Sequence, residues 1–297
     1  MIFSVSVDLD GLGCYAAIHG HDPRSLDQRA LQAVPVLALS RLCALFAELQ
    51  LPATFFAIGR ELELPGAARA LRAAADAGHE IASHSHAHDY ALSRQPASSI
   101  IEDLQKADSA IEAAVGRAPR GFRAPGYTLS AALLVAVRAR GYLYDSSLLP
   151  SPAYYAAKAA LIGWHALRGR RSHSILGRPG QLFAPRGPHR RAGVRELPVA
   201  TLPALRAPVI GTLVMEISPK LGAALLWRSR ASGHLNFELH GIDVLDRTDV
   251  PPQIARDQPG LALPAAEKLL KLRAALVSLR ERAEAMTLER AALALLP

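Results

Sequence analysis

The chain has 297 residues and a mass of 31.7 kDa, and half of its residues are apolar, which is ample for a buried core and excludes a mostly disordered protein. Two cysteines, Cys14 and Cys43, are too few for a disulfide framework or a four-thiolate zinc site and suit a reducing compartment. The net charge of +8 (34 basic less 26 acidic) is concentrated: nine basic and no acidic residues lie between Asp145 and Glu196, so the rest of the chain carries 8 − 9 = −1.

The opening MIFSVSVDLDG has no basic n-region and is acidic by position 8, and no run of 18 uninterrupted apolar residues follows, so a cytoplasmic protein is expected. Ile2 to Val7 reads as a strand, and Arg24 to Leu49 carries apolar residues at helical spacing. Strands are then expected at 53–57 (ATFFA), 79–82, 121–123, 194–199, 208–214 and 234–239, and helices at 66–77, 98–115, 130–140 and 265–285. This alternation predicts an α/β fold with a parallel sheet and crossover helices in a single domain. Seven or so strands favour a closed or nearly closed barrel over an open doubly wound sheet, although periodicity does not separate the two. The stretch 151–195 breaks the rhythm with prolines at 152, 179, 185 and 188 and six glycines. It reads as an insertion, a short helix over 154–167 followed by a basic loop. The amphipathic C-terminal helix, about 264–285, is expected to cover the barrel.

Four strand ends present chemistry. Asp8 and Asp10 are two apart, so in a strand they share a face, and paired carboxylates repel unless a cation or proton sits between them. His84 and His88 in HSHAHD have the i, i+4 spacing that, on a helical turn, lets two imidazoles bind one metal ion. Arg123 in FRAPGY stands at a fixed turn, and His240 in ELHGID ends a late apolar strand. Two histidines with one aspartate form a ligand set that leaves coordination positions open, the mark of a catalytic site.

The ordered set DLD, SHSHAH, FRAPGY, YDSS and ELHGID, with ATFFAIG and GHEIASH, resembles the NodB-type polysaccharide deacetylases, carbohydrate esterase family 4, from about Ile2 to Asp246. The Asp-x-Asp spacing is similar to that branch of the family in which the paired acids are not adjacent, which includes deformylases and amidases of varied substrates. The resemblance implies a distorted (β/α) barrel of about seven strands and metal-dependent hydrolysis of an acyl group on a sugar. It makes Asp8 the catalytic base and Asp10, His84 and His88 the metal ligands. Ser85 would brace the histidine loop, Arg123 would orient Asp8, and His240 would be the general acid, tuned by Asp145. Gly126 stands where many members have Tyr, and its backbone N–H would serve as the oxyanion donor. Zinc fits the ligand types, and cobalt, nickel or iron are also accepted.

An aminosugar precursor or a lipid-linked sugar is the expected substrate for such an enzyme in the cytoplasm. The aromatic and basic segment 151–195 suits peripheral contact with an anionic inner membrane face. Hydrolysis of another linear or cyclic C–N amide on the same scaffold is the alternative. A non-catalytic nucleic-acid- or membrane-binding module stands further off, because the arginines are not interleaved with aromatics and no RNA- or DNA-binding signature accompanies them.

Overall fold

The computed structural model describes residues 1–169 and 172–297; Arg170 and Arg171, two of the nine basic residues of the insertion, lie outside the described residues. Among the described residues nine strands form one sheet: β1 (Ile2–Asp8), β2 (Ala53–Ala57), β3 (Glu80–Ser83), β4 (Gly121–Phe122), β5 (Tyr144–Asp145), β6 (His189–Arg191), β7 (Val194–Glu196), β8 (His234–His240) and β9 (Glu284–Ala285). The order is β6-β7-β5-β4-β3-β2-β1-β8, with β9 beside β1; every pairing is parallel except the β6–β7 hairpin. Seven parallel strands, β7 round to β8, follow the expected alternation and curl into the distorted barrel that the resemblance implies. Beyond β7 the chain crosses the open edge, where Val199 N–H donates to the Leu148 carbonyl (2.8 Å) and Ala200 N–H to the Asn236 carbonyl (3.0 Å). The exposed surface of 12423 Å² matches the roughly 12,000 Å² expected of one compact domain of this mass.

The two faces of the sheet separate by the period of two. Phe3, Val5 and Val7 of β1 and Leu235, Phe237 and Leu239 of β8 join the main apolar core with the surrounding helices. The intervening residues carry polar groups inside the barrel: Ser6 Oγ donates to Asn236 Oδ1 at 2.9 Å, and the register sets Asp8 beside His240. Gly121 is required where Tyr144 crosses it, since a Cβ there would stand 2.1 Å from the ring. The apolar stretch Gln28–Glu48 is long enough to cross a membrane by length and composition, and half of it is buried in this fold. Its turn Ala33–Ala38 is π-helical around Pro35, which lacks an N–H to donate and so loosens the ladder.

Two expected elements differ. Residues 208–214 do not form a strand: Pro208 makes one bridge to Thr201, and Gly211–Glu216 is helical. The β-branched run misleads because Gly211, Val214 and Met215, at helical spacing, are the positions buried. The C-terminal helix ends at Arg280 rather than 285, because Glu284 and Ala285 pair with β1. The short strands β5 and β6 and the helices Leu12–Ile18, Pro219–Ser229 and Leu288–Leu295 had no clear signature in the sequence.

Candidate metal and acid–base site

Asp10, His84 and His88 converge at the carboxyl end of the barrel. Asp10 Oδ1 lies 3.2 Å from His84 Nε2 and 3.2 Å from His88 Nε2, and one donor atom from each residue falls within 4.8 Å of the others. His84 Nδ1 faces the Arg123 carbonyl at 2.7 Å; a carbonyl only accepts, so this nitrogen carries the proton and the Nε2 lone pair is left for a ligand. Asp10 Oδ1 and His88 Nε2 are buried and make no hydrogen bond of acceptable geometry among the described residues. Tetrahedral coordination with bonds of about 2.0 Å sets donors roughly 3.3 Å apart. The donor types, their spacing and their orphaned lone pairs therefore fit a small divalent cation. Burial opposes ionisation of Asp10, but the imidazoles of His88 and His84 outweigh it and hold the carboxyl well below its usual range.

The i, i+4 histidines do not sit on a helical turn. Residues 84–89 form a loop in which Ser85 (φ 67°) and His88 (φ 49°) are left-handed. Asp103 accepts from the N–H groups of His86 and Ala87, both at 2.9 Å, and Ser85 Oγ accepts from His88 N–H at 3.0 Å. These bonds hold an otherwise unfavourable backbone and bring the two rings to 4.8 Å between centroids. Asp103, on the helix Ala97–Val115, carries no motif signal.

Beside this cluster lies an acid–base group. Arg123 is fully buried, and all five of its N–H donors are engaged: Nε to the Ser146 carbonyl (2.9 Å), one terminal nitrogen to Asp8 Oδ1 (2.6 Å) and Glu238 Oε1 (3.3 Å), the other to Ser6 Oγ (3.0 Å) and Ser146 Oγ (2.8 Å). Asp8 Oδ2 lies 3.7 Å from His84 Nε2. Burial works against the Asp8 carboxylate, yet Arg123, then His84 and His240, keep it below the ordinary range. Burial also works against protonation of His240, yet Glu238, Asp8 and Asp10 push it up to about 9. Burial, then Asp8, raises Glu238 to about 7, and Tyr127 Oη donates to it at 2.5 Å. Glu238 received no role from the sequence, although its period-two spacing from His240 places both inside the barrel. Asp8, Asp10, His84, Gly126 and His240 share one cavity of about 300 Å³.

Asp145 is engaged elsewhere than at His240. Its carboxylate accepts from Ser147 Oγ at 2.5 Å and pairs with Glu196, whose acid form burial and Asp145 favour. Ser147 Oγ in turn accepts from Ala124 N–H at 2.8 Å, so Asp145 braces the FRAP turn from behind. The carboxylates that act on His240 come instead from its own strand end and from β1, because β5 is stapled to β7 and faces Glu196.

Residues 34–144 match the polysaccharide deacetylase family model, a span that holds His84, His88 and Arg123 but neither Asp pair member nor His240. A peptidoglycan deacetylase of Helicobacter pylori is 29% identical over 150 residues, 50% of each protein, so the chain spans about half the length of that curated relative. The crystal structure of a Mycobacterium smegmatis protein assigned to the polysaccharide deacetylases superposes with a TM-score of 0.62 at 18% identity, covering 99% of this chain and 89% of the other. A family 4 acetyl xylan esterase from Clostridium thermocellum, solved with a cobalt ion, gives 0.51 at 15% identity over 98% and 89%. A family 4 pseudoenzyme from Bacillus anthracis gives 0.51 at 13% identity over 96% and 63%, so this fold by itself does not establish activity. Motifs, the family match over residues 34–144 and the architecture agree: the chain has the fold of the carbohydrate esterase family 4 deacetylases and is similar to them in sequence across its histidine and arginine motifs.

Proposed function

We propose that the chain removes an N-acyl group, acetyl or formyl, from an amino sugar or glycoconjugate, using a divalent cation held by Asp10, His84 and His88. The observation that carries this reading is the convergence of the Asp10, His84 and His88 donor atoms beside a buried Asp8–Arg123 pair and a raised His240, with Asp8, Asp10, His84 and His240 opening on one cavity. When bound, the cation supplies Lewis-acid polarisation of the acyl carbonyl and lowers the pKa of its water. Asp8, kept ionised by Arg123, takes the proton from the attacking water, and His240, protonated at neutral pH, gives one to the departing amine. Gly126, whose backbone lines the cavity, offers its N–H to the developing oxyanion, an interaction typically worth about 3–4 kcal/mol. Zinc suits the donor set, with cobalt, nickel or iron as alternatives. Metal analysis of the purified protein, followed by acetate and formate release from a panel of N-acyl amino sugars, tests the reading. Stoichiometric metal with metal-dependent release supports it, whereas a protein that binds no divalent cation overturns it.

A lipid-linked sugar at the cytoplasmic face of a membrane is the finer form of this proposal. The helix Pro152–Leu167 supports it, with Trp164 52% exposed, Leu167 85% exposed and Arg168 stacked 4.0 Å over the Trp164 ring. Three of the other arginines, Arg186, Arg190 and Arg195, do not favour a nucleic-acid partner. Arg186 donates to the Thr201 and Ser229 carbonyls, Arg195 to the Leu296 carbonyl and Arg190 to the Pro297 carbonyl, so these guanidiniums are used within the chain.

A further inference from the structure

The helix Pro152–Leu167 does more than present an outer face. Ser151 caps it, its Oγ accepting from Tyr154 N–H at 3.1 Å, and Pro152 begins it. Its inner stripe of Tyr154, Ala157, Lys158 and Leu161, at i, i+3, i+4 and i+7, lines the cavity that holds Asp8, Asp10 and His84. Lys158 is only 8% exposed. Its Nζ donates to the Gly126 carbonyl at 3.1 Å and lies 5.6 Å and 5.7 Å from the ring centroids of Tyr90 and Tyr154. An ammonium has three N–H donors; among the described residues one is used by Gly126 and no carboxylate forms an ion pair with it.

A buried cation without a counter-charge costs free energy, and chains rarely keep one without a partner. Lys268 shows how this chain otherwise treats the problem: 3% exposed, it bonds the Leu245 and Gly260 carbonyls and feels the carboxylates of Asp243, Asp246, Asp249 and Glu216. Among the described residues no carboxylate plays that part at Lys158, and burial pushes its ammonium down to about 8. Arg123 cannot meet a negative group entering the cavity, since its five donors are engaged. Lys158 has donors to spare and sits on the cavity wall supplied by the insertion.

We propose that Lys158 docks an anionic group of the substrate, a phosphate or a carboxylate carried by the sugar that bears the acylated nitrogen, so that the pocket selects acidic amino-sugar derivatives over neutral ones. The proposal rests on the hydrolase reading for its substrate, but not for the binding of the anion. The wild type, Lys158→Met and Lys158→Arg are compared on N-acetylglucosamine, N-acetylglucosamine 1-phosphate and N-acetylmuramic acid. Acetate release is read as KM and kcat, and calorimetry reads binding of the same compounds to chelator-treated protein. The wild type is expected to favour at least one anionic compound over the neutral one by about tenfold or more, mainly through KM. Lys158→Met should abolish that preference by raising KM for the anionic compound at least tenfold more than for the neutral one, Lys158→Arg should restore part of it, and metal-free binding of the anion should fall at least tenfold in the Met variant. Whichever anionic arm responds identifies phosphate or carboxylate. A wild type indifferent to charge overturns the proposal, as does a Met variant that loses neutral and anionic compounds equally, which would assign Lys158 to holding the Gly126 carbonyl. If no compound is hydrolysed while Lys158-dependent anion binding persists, the hydrolase reading fails and the anion site stands.

Discussion

Asp8 and Asp10 are identical side chains two residues apart that the fold gives different surroundings, and the proposed roles follow from what each faces. Asp8 gives one oxygen to a guanidinium that is part of the protein, so its charge is balanced whether or not a cation is bound. Asp10 faces two imidazoles whose lone pairs, like its own, are left for something else. Asp8→Asn should therefore keep metal at wild-type stoichiometry and lower kcat by about 10²- to 10⁴-fold, the usual contribution of a general base. Asp10→Ala should lose metal and turnover together. Metal content and acetate or formate release on both variants check this, and an Asp8→Asn protein with near wild-type turnover removes Asp8 from the base role. The type and spacing of these acids were legible because a strand repeats every two residues. Glu238 follows the same rule without a motif to mark it, and the resemblance that sets Asp145 against His240 carries no information about β5 pairing with β7, which turns that carboxylate to Glu196.

At the scale of elements, the histidine loop and the insertion helix make opposite cases. The loop contains the expected ligands in an unexpected conformation: the helical spacing of His84 and His88 is fortuitous, and the rings meet because Asp103 and Ser85 hold left-handed backbone in place. Such a contact over 16–17 residues leaves no local pattern to read. The helix Pro152–Leu167 was legible as a helix but not as a cavity wall. Its outer face carries the membrane proposal. The full chain should co-sediment with vesicles of phosphatidylglycerol and not with phosphatidylcholine alone, and the double change Trp164→Ser, Leu167→Ser should weaken that binding several-fold, since both side chains are exposed and contribute apolar area. Absence of wild-type binding to either vesicle ends the membrane reading.

For the molecule as a whole, the barrel interior holds buried polar groups, and that fixes a pH dependence. His234, at the start of β8, is buried against Ser4 Oγ (3.1 Å), and burial lowers its imidazole to about 3. The unfolded chain takes up this proton near 6.5 and the folded chain does not, so the contribution of His234 to stability falls as pH drops from about 6.5 to 3, by up to about 1.4 kcal/mol per pH unit. Burial raises Glu61 to about 8, which works the other way: that cost grows as pH rises from 4.5 to 8. Urea unfolding of the metal-free protein at pH 7 and pH 5 isolates the histidine by difference. His234→Asn should lose less stability on acidification than the wild type, and an equal loss in both would show that this imidazole does not titrate as buried.

The sequence by itself determined the alternation of strands and helices, the chemical types at four strand ends and the concentration of basic charge, because each follows from local periodicity or composition. Tertiary structure alone decided which strand ends adjoin, that Gly211–Glu216 is helical rather than extended, that Arg123 is saturated and that Lys158 is not. Those depend on what lies across the barrel, where partners come from positions up to 230 residues apart and a lone pair or a donor is either met or left open.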